Sequence, residues 1–88
     1  MLIDYSVELK TEALVSLERL TQVEKNRIIR KIYWLATNFD SITPDYLTAN
    51  LAGLFKLRVG NYRVVYSFSR ELRIITIHII GHRSEIYR

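Results

Sequence analysis

The chain opens with apolar and polar positions in alternation. Ile3, Tyr5 and Val7 are separated by Asp4 and Ser6, the period-2 pattern of a half-buried strand. From about Glu8 the period lengthens. Leu9, Ala13, Leu14, Leu17 and Leu20 recur at helical spacing, with Glu12, Glu18 and Arg19 between them. The stretch TQVE then places Glu24 three residues after Thr21, a capping box that starts a second helix. That helix gathers Ile28, Ile32, Leu35 and Phe39 on one side with Ile29 and Ala36 beside them, leaving Lys25, Arg27, Arg30 and Lys31 to face solvent. With almost no residues between them, the two helices are expected to form an antiparallel hairpin.

Residues 40–50, DSITPDYLTAN, hold the only proline and several turn formers, and read as a connecting loop. Three strand-like runs follow, at about 52–59, 62–68 and 73–80, joined by Gly60-Asn61 and by the polar SREL at 69–72. Links this short require antiparallel pairing, hence a meander. Adding the first strand at an edge predicts an α+β fold. In it the N-terminal strand and helical hairpin pack on one face of a mainly antiparallel four-stranded sheet, as a single domain over residues 1–88. The last run, RIITIHII, is apolar on both faces, with Ile75, Ile77 and Ile79 on one and Ile74, Thr76, His78 and Ile80 on the other. It is therefore expected to be the central strand.

Strand parity raises the question of chemistry. Phe55, Leu57 and Val59 share a face with Tyr62, Val64, Tyr66 and Phe68, and a helical hairpin can cover that face alone. The opposite face then presents Lys56, Arg58 and Arg63 around one turn, with no carboxylate in those two strands. Like charges so placed repel, and an anion would relieve them.

Charge along the chain agrees. Residues 1–50 carry six Lys/Arg and seven Asp/Glu, a net of −1; residues 51–88 carry seven Lys/Arg and two Asp/Glu, a net of +5, giving the +4 of the whole. A solvated basic face would give the same asymmetry, so charge alone leaves phosphate binding and plain solubility both open. The chain's 88 residues suffice for one small domain, and a hydrophobic fraction of 49% is that of a folded protein. Without cysteine there is neither a disulfide nor a thiolate metal site, and two histidines with no acidic cluster beside them give no catalytic metal. No apolar run approaches the roughly 20 residues of a membrane span, and the N-terminus lacks the order of a signal peptide, so a cytoplasmic location is expected.

The tail, IIGHRSEIYR, sets His82, Arg83 and Tyr87 just beyond the last strand. Histidine exchanges protons near neutral pH, arginine grips phosphate through two parallel bonds, and tyrosine stacks on a base. His78, flanked by isoleucines, reads as structural, and Tyr62 and Tyr66 as core.

The blocks LAGLFKLRVGNYRVVY and IGHRSEIY, about fifteen residues apart, resemble the RelE/ParE toxin superfamily on its RelE side, over nearly the whole chain. The resemblance implies the toxin of a type II toxin–antitoxin pair. It implies a metal-independent, cofactor-free endoribonuclease that cuts messenger RNA on the ribosome through the 2′-hydroxyl. A cognate antitoxin, the ribosome and mRNA are the implied partners, with no membrane role. Carried over by position, Lys56 and Arg63 hold the scissile phosphate, Arg83 or His82 fills the C-terminal basic position, and Tyr87 stacks on the nucleotide. Arg58 assists on the phosphate, and His82 is the candidate for proton transfer. Where the best-known members have a second strand lysine, two positions before Lys56, this chain has Leu54. A ParE-like gyrase poison, or a nucleic-acid-binding module without activity, are the alternatives on the same fold.

Overall fold

The computed structural model describes residues 4–47 and 53–86. Strand β1 (Ser6–Leu9) leads into helix α1 (Thr11–Glu18), then α2 (Gln22–Asn38) and a single 3-10 turn, Phe39–Ser41. Strands β2 (Asp45–Tyr46), β3 (Phe55–Val59), β4 (Tyr62–Ser69) and β5 (Ile74–His82) follow, and a four-residue helix α3 (Arg83–Ile86) closes the described chain. Among the described residues these strands make one sheet in the order β1-β5-β4-β3-β2, antiparallel except for the parallel β1–β5 pair. The fold is α+β as expected, with a fifth strand. Asp45 and Tyr46, inside the stretch expected to be loop, pair with Lys56 and Phe55.

The first strand runs further than the pattern suggested, and the first helix starts later. Leu9 fits the helical spacing of Ala13 and Leu17, yet it closes β1, because β1 satisfies its backbone against Ile74–Ile77 of β5. Extended Lys10 then opens α1. Of that helix Ala13 and Leu17 are buried, while Leu14, expected in the core, is exposed. The start of α2 is as read. Thr21 Oγ1 accepts the Glu24 backbone N–H at 3.2 Å and donates to the Glu24 carboxylate at 3.0 Å. Ile28, Ile32, Leu35 and Ala36 carry the buried stripe of α2 onto the sheet. Phe39 ends it fully buried, its ring 4.8 Å from Tyr5 and 4.7 Å from Phe68.

The expected parity of the last strand fails halfway along. Val65 pairs with Ile79, but the next residue, Tyr66, pairs with Ile77, so His78 is an extra residue in β5. Such a bulge shifts the alternation by one. Ile75, Ile77 and Ile80 therefore face the helices and are buried, whereas Ile79, expected beside Ile75 and Ile77, turns outward at 36% exposure. The middle of the sheet is accordingly β4 rather than β5, and Arg63, Val64, Val65 and Tyr66 of β4 are all buried.

Candidate functional site

The site grows from the β3–β4 turn. Gly60 adopts φ +59°, a left-handed conformation that glycine takes without strain, and with Asn61 it reverses the chain. This sets Arg58 directly across from Arg63, and Arg63 across from Gly81, on the face opposite the one where Tyr62 meets Glu24 of α2. Lys56 lies one step down the same face, across from Val65. The pairing of Asp45 with Lys56 brings a carboxylate-bearing residue next to that lysine, a neighbour that strand parity alone did not reveal.

Arg63 is not the solvated cation that its position in the strand suggested. Only 7% of it is exposed. Its Nη1 donates to the carbonyls of Gly60 at 3.0 Å and Tyr62 at 2.8 Å, bracing the turn. Its Nε is buried with no partner. Among the described residues Arg63 is thus a buried guanidinium held by two carbonyls, with no carboxylate bonded to it and one N–H unmet, an arrangement that is costly to bury.

The end of β5 is built by a second capping box that the sequence reading missed. In HRSE, the Ser84 backbone N–H donates to His82 Nδ1 at 3.2 Å, and the His82 backbone N–H donates to the Glu85 carboxylate at 3.4 Å. An imidazole stands where serine or threonine is usual. Because a backbone N–H can only donate, Nδ1 is the acceptor, and in the neutral ring Nε2 carries the hydrogen. His82 pairs with Tyr62, and the two rings meet edge to face at 5.7 Å. Tyr62 in turn donates to Glu24 of α2 at 2.8 Å. That bond, with the one from Thr21, holds the Glu24 carboxyl below its usual range, and the Glu24 bond together with burial raises the Tyr62 phenol. His82 is thus on the helix side of the sheet, opposite Lys56, Arg58 and Arg63.

Arg83 is placed differently. Its backbone N–H donates to Asn61 O at 2.8 Å, tying the start of α3 to the same turn that Arg63 braces. From there α3 folds back on β4 and β5, with Ile86 over Gly81. A Cβ on Gly81 would lie 3.3 Å from Ile86 Cδ1, so the missing side chain lets the tail approach this closely. The turn therefore gathers Arg58, Arg63 and exposed Arg83, with Lys56 beside them on the open face. Tyr87 lies outside the described residues.

His78 is half-buried at the bulge, its Nε2 2.7 Å from Ser67 Oγ. Burial, and then Lys10, lower its pKa from the ordinary value. Tyr66 is core, and burial pushes its phenol up to about 12. No helix among the described residues is long and apolar enough to cross a membrane, and no group of three or more His, Cys, Asp or Glu there is arranged to hold a metal.

The family model for the ParE toxin of the type II toxin–antitoxin system parDE matches this sequence from residue 7 to residue 87. The chain belongs to this toxin family. Its architecture is similar to solved RelE toxins. One is RelE in the archaeal RelE–RelB complex of Pyrococcus horikoshii, 22% identical, with 92% of this chain and 97% of that chain covered and a TM-score of 0.73. A double arginine-to-alanine mutant of Escherichia coli RelE in the free state is 19% identical, covers 97% and 92%, and has a TM-score of 0.74. The toxin–antitoxin complex RelBE2 of Mycobacterium tuberculosis is 27% identical, covering 92% of this toxin and 100% of that chain at a TM-score of 0.68. No curated protein sequence matches the toxin significantly.

Proposed function

We propose that this toxin is a ribosome-dependent endoribonuclease that cuts messenger RNA through the RNA's own 2′-hydroxyl. The observation that carries the reading is the buried, carbonyl-braced Arg63 with its unmet Nε, on the face it shares with Lys56 and Arg58. In the reaction the 2′-oxygen attacks the adjacent phosphorus and loses its proton, while the bond from phosphorus to the 5′-oxygen breaks and that oxygen gains one. The products are a 2′,3′-cyclic phosphate and a 5′-hydroxyl. Arg63, Lys56 and Arg58 hold the phosphate as charge accumulates on it, a preorganised stabilisation of the kind that contributes about 10²–10³ in rate per donor.

Of the two candidates for the C-terminal basic position, the geometry favours Arg83. It is exposed and tied to the Arg63 turn, whereas His82 is engaged as the cap of α3 on the far side of the sheet. His82 is a positioning residue in this reading, holding the start of α3 and with it Arg83. The structural relatives that are complexes pair RelE with RelB, which supports a cognate antitoxin as the partner of this chain. Cytoplasmic action on translating ribosomes follows from the same reading.

The test is mapping of mRNA ends in a bacterial translation extract with wild-type protein, Arg83→Ala and Lys56→Ala. New ends inside translated codons, lost with either variant and absent without ribosomes, are the expected result. Arg63→Ala is a poorer control, since Arg63 also braces the turn. The ParE match favours a second reading, gyrase poisoning. Growth arrest by folded wild-type protein with no new mRNA ends, and with loss of DNA supercoiling, selects it instead.

A further inference from the structure

A second basic surface lies on α2, away from the sheet face just described. Flanking its buried stripe, α2 carries Arg27, Arg30, Lys31 and Trp34, at intervals of three, one and three residues. Seven residues of helix span about 10 Å, so the four form one continuous ridge. Facing it is the end of β3, and between them runs an open groove of about 700 Å³ closed at one end by Arg58, Val59 and Gly60. Its four cations have no carboxylate within ion-pairing distance among the described residues, and no Asp or Glu lines the groove.

Two details make this more than a solvated helix face. Arg27 is laid against the turn: a Cβ on Gly60 would come within 3.2 Å of its Nη1. The guanidinium is therefore positioned close beside the backbone of the turn. Trp34 is 42% exposed, a large apolar surface left in water among like charges, with Lys31 Nζ 4.1 Å from its ring centroid. A row of cations alone would suit any polyanion. Cations that track a groove with an exposed aromatic ring beside them suit single-stranded nucleic acid, whose phosphates meet the charges while a base meets the ring.

We propose that the groove between α2 and the β3–β4 turn binds single-stranded RNA outside the cleavage centre, with Arg27, Arg30, Lys31 and Arg58 on phosphates and Trp34 against a base. The choice of RNA over another polyanion rests on the nuclease reading. Arg58 belongs to both surfaces, so one strand can pass from the open sheet face around the turn into the groove.

The test uses the only tryptophan of the chain as its reporter. The full-length protein is titrated with an oligouridylate, following Trp34 emission and, in parallel, the anisotropy of a 5′-labelled copy, at several salt concentrations. The expected result is quenching of Trp34 that follows the anisotropy. In Arg27→Ala/Arg30→Ala, which keeps Lys31 over the ring, affinity falls at least tenfold and the log–log salt slope drops by about 1.4, at about 0.7 per cation removed. RNA binding without a change in Trp34, or with unchanged affinity and slope in the double variant, overturns the proposal. So does quenching by polyglutamate but not by RNA, which would make the groove a seat for an acidic polypeptide. Arg83→Ala separates this from the nuclease reading. Quenching that persists in Arg83→Ala, with no mRNA ends from wild type, leaves the groove standing and removes the nuclease. Ends cut equally by wild type and the groove variant, with Trp34 unaffected by RNA, do the reverse.

Discussion

Arg63→Ala separates the bracing that Arg63 does in the structure from the anion binding proposed for it. As a brace, Arg63 gives two hydrogen bonds from a charged donor to the carbonyls of Gly60 and Tyr62, each worth about 1.5–3 kcal/mol before anything replaces it. Against that, its buried and unpartnered Nε costs about 1–3 kcal/mol, which the alanine removes. Both carbonyls sit at a surface turn where water can take over part of the donation. The net loss is therefore about 1–2 kcal/mol. For a domain of this size that is a fall in Tm of roughly 5–15 °C. In its proposed role as an anion receptor, Arg63 should let phosphate stabilise the folded protein. At ten times its Kd, phosphate adds about 1.4 kcal/mol to the wild type, a rise of roughly 6–11 °C. Thermal melts of both proteins in chloride and in phosphate at matched ionic strength measure the two effects independently. The variant is expected to melt lower in chloride and to gain less from phosphate. A variant that melts with the wild type refutes the brace, and equal phosphate increments in the two proteins refute Arg63 as the receptor.

His78→Gln tests the bulge histidine. The folded pKa of His78 lies below the ordinary 6.5, so its contribution to stability is complete above about pH 6.5 and is lost as pH falls toward the lowered value. A glutamine that keeps the bond to Ser67 should flatten the stability profile on the acid side of about pH 6.5, read by urea melts; a profile parallel to wild type would contradict this. Phe39→Ala empties the junction of Tyr5 and Phe68 and should cost about 3–5 kcal/mol in denaturant melts, a large share of the stability of so small a protein. Gly60→Ala forces a side chain into φ +59° at a cost of about 1–2 kcal/mol and crowds Arg27, so it should lower Tm and weaken quenching of Trp34 by RNA together.

What was legible in the residues was whatever local spacing decides. The stripe of α2 from Ile28 to Phe39, the Thr21–Glu24 cap, the Gly60-Asn61 turn and the cationic face of Lys56, Arg58 and Arg63 need only a period and a turn to be read. The same residues did not reveal how the strands meet. Leu9 suits a helix or a strand until the parallel partner in β5 is known, and the two-residue β2 exists only because Lys56 and Phe55 offer it backbone bonds. His78 becomes a bulge through the register of β4 and β5, which exchanges the fates of Ile79 and Ile80. The functional face depended most on this long-range arrangement. That Arg63 is buried against the carbonyls of its own turn shows only in the folded chain, and whether His82 or Arg83 reaches the turn depends on which side of the sheet the strand's last residue falls. Periodicity is written within one segment, whereas burial, register and the meeting of charges come from segments far apart in the chain, and only packing brings those together.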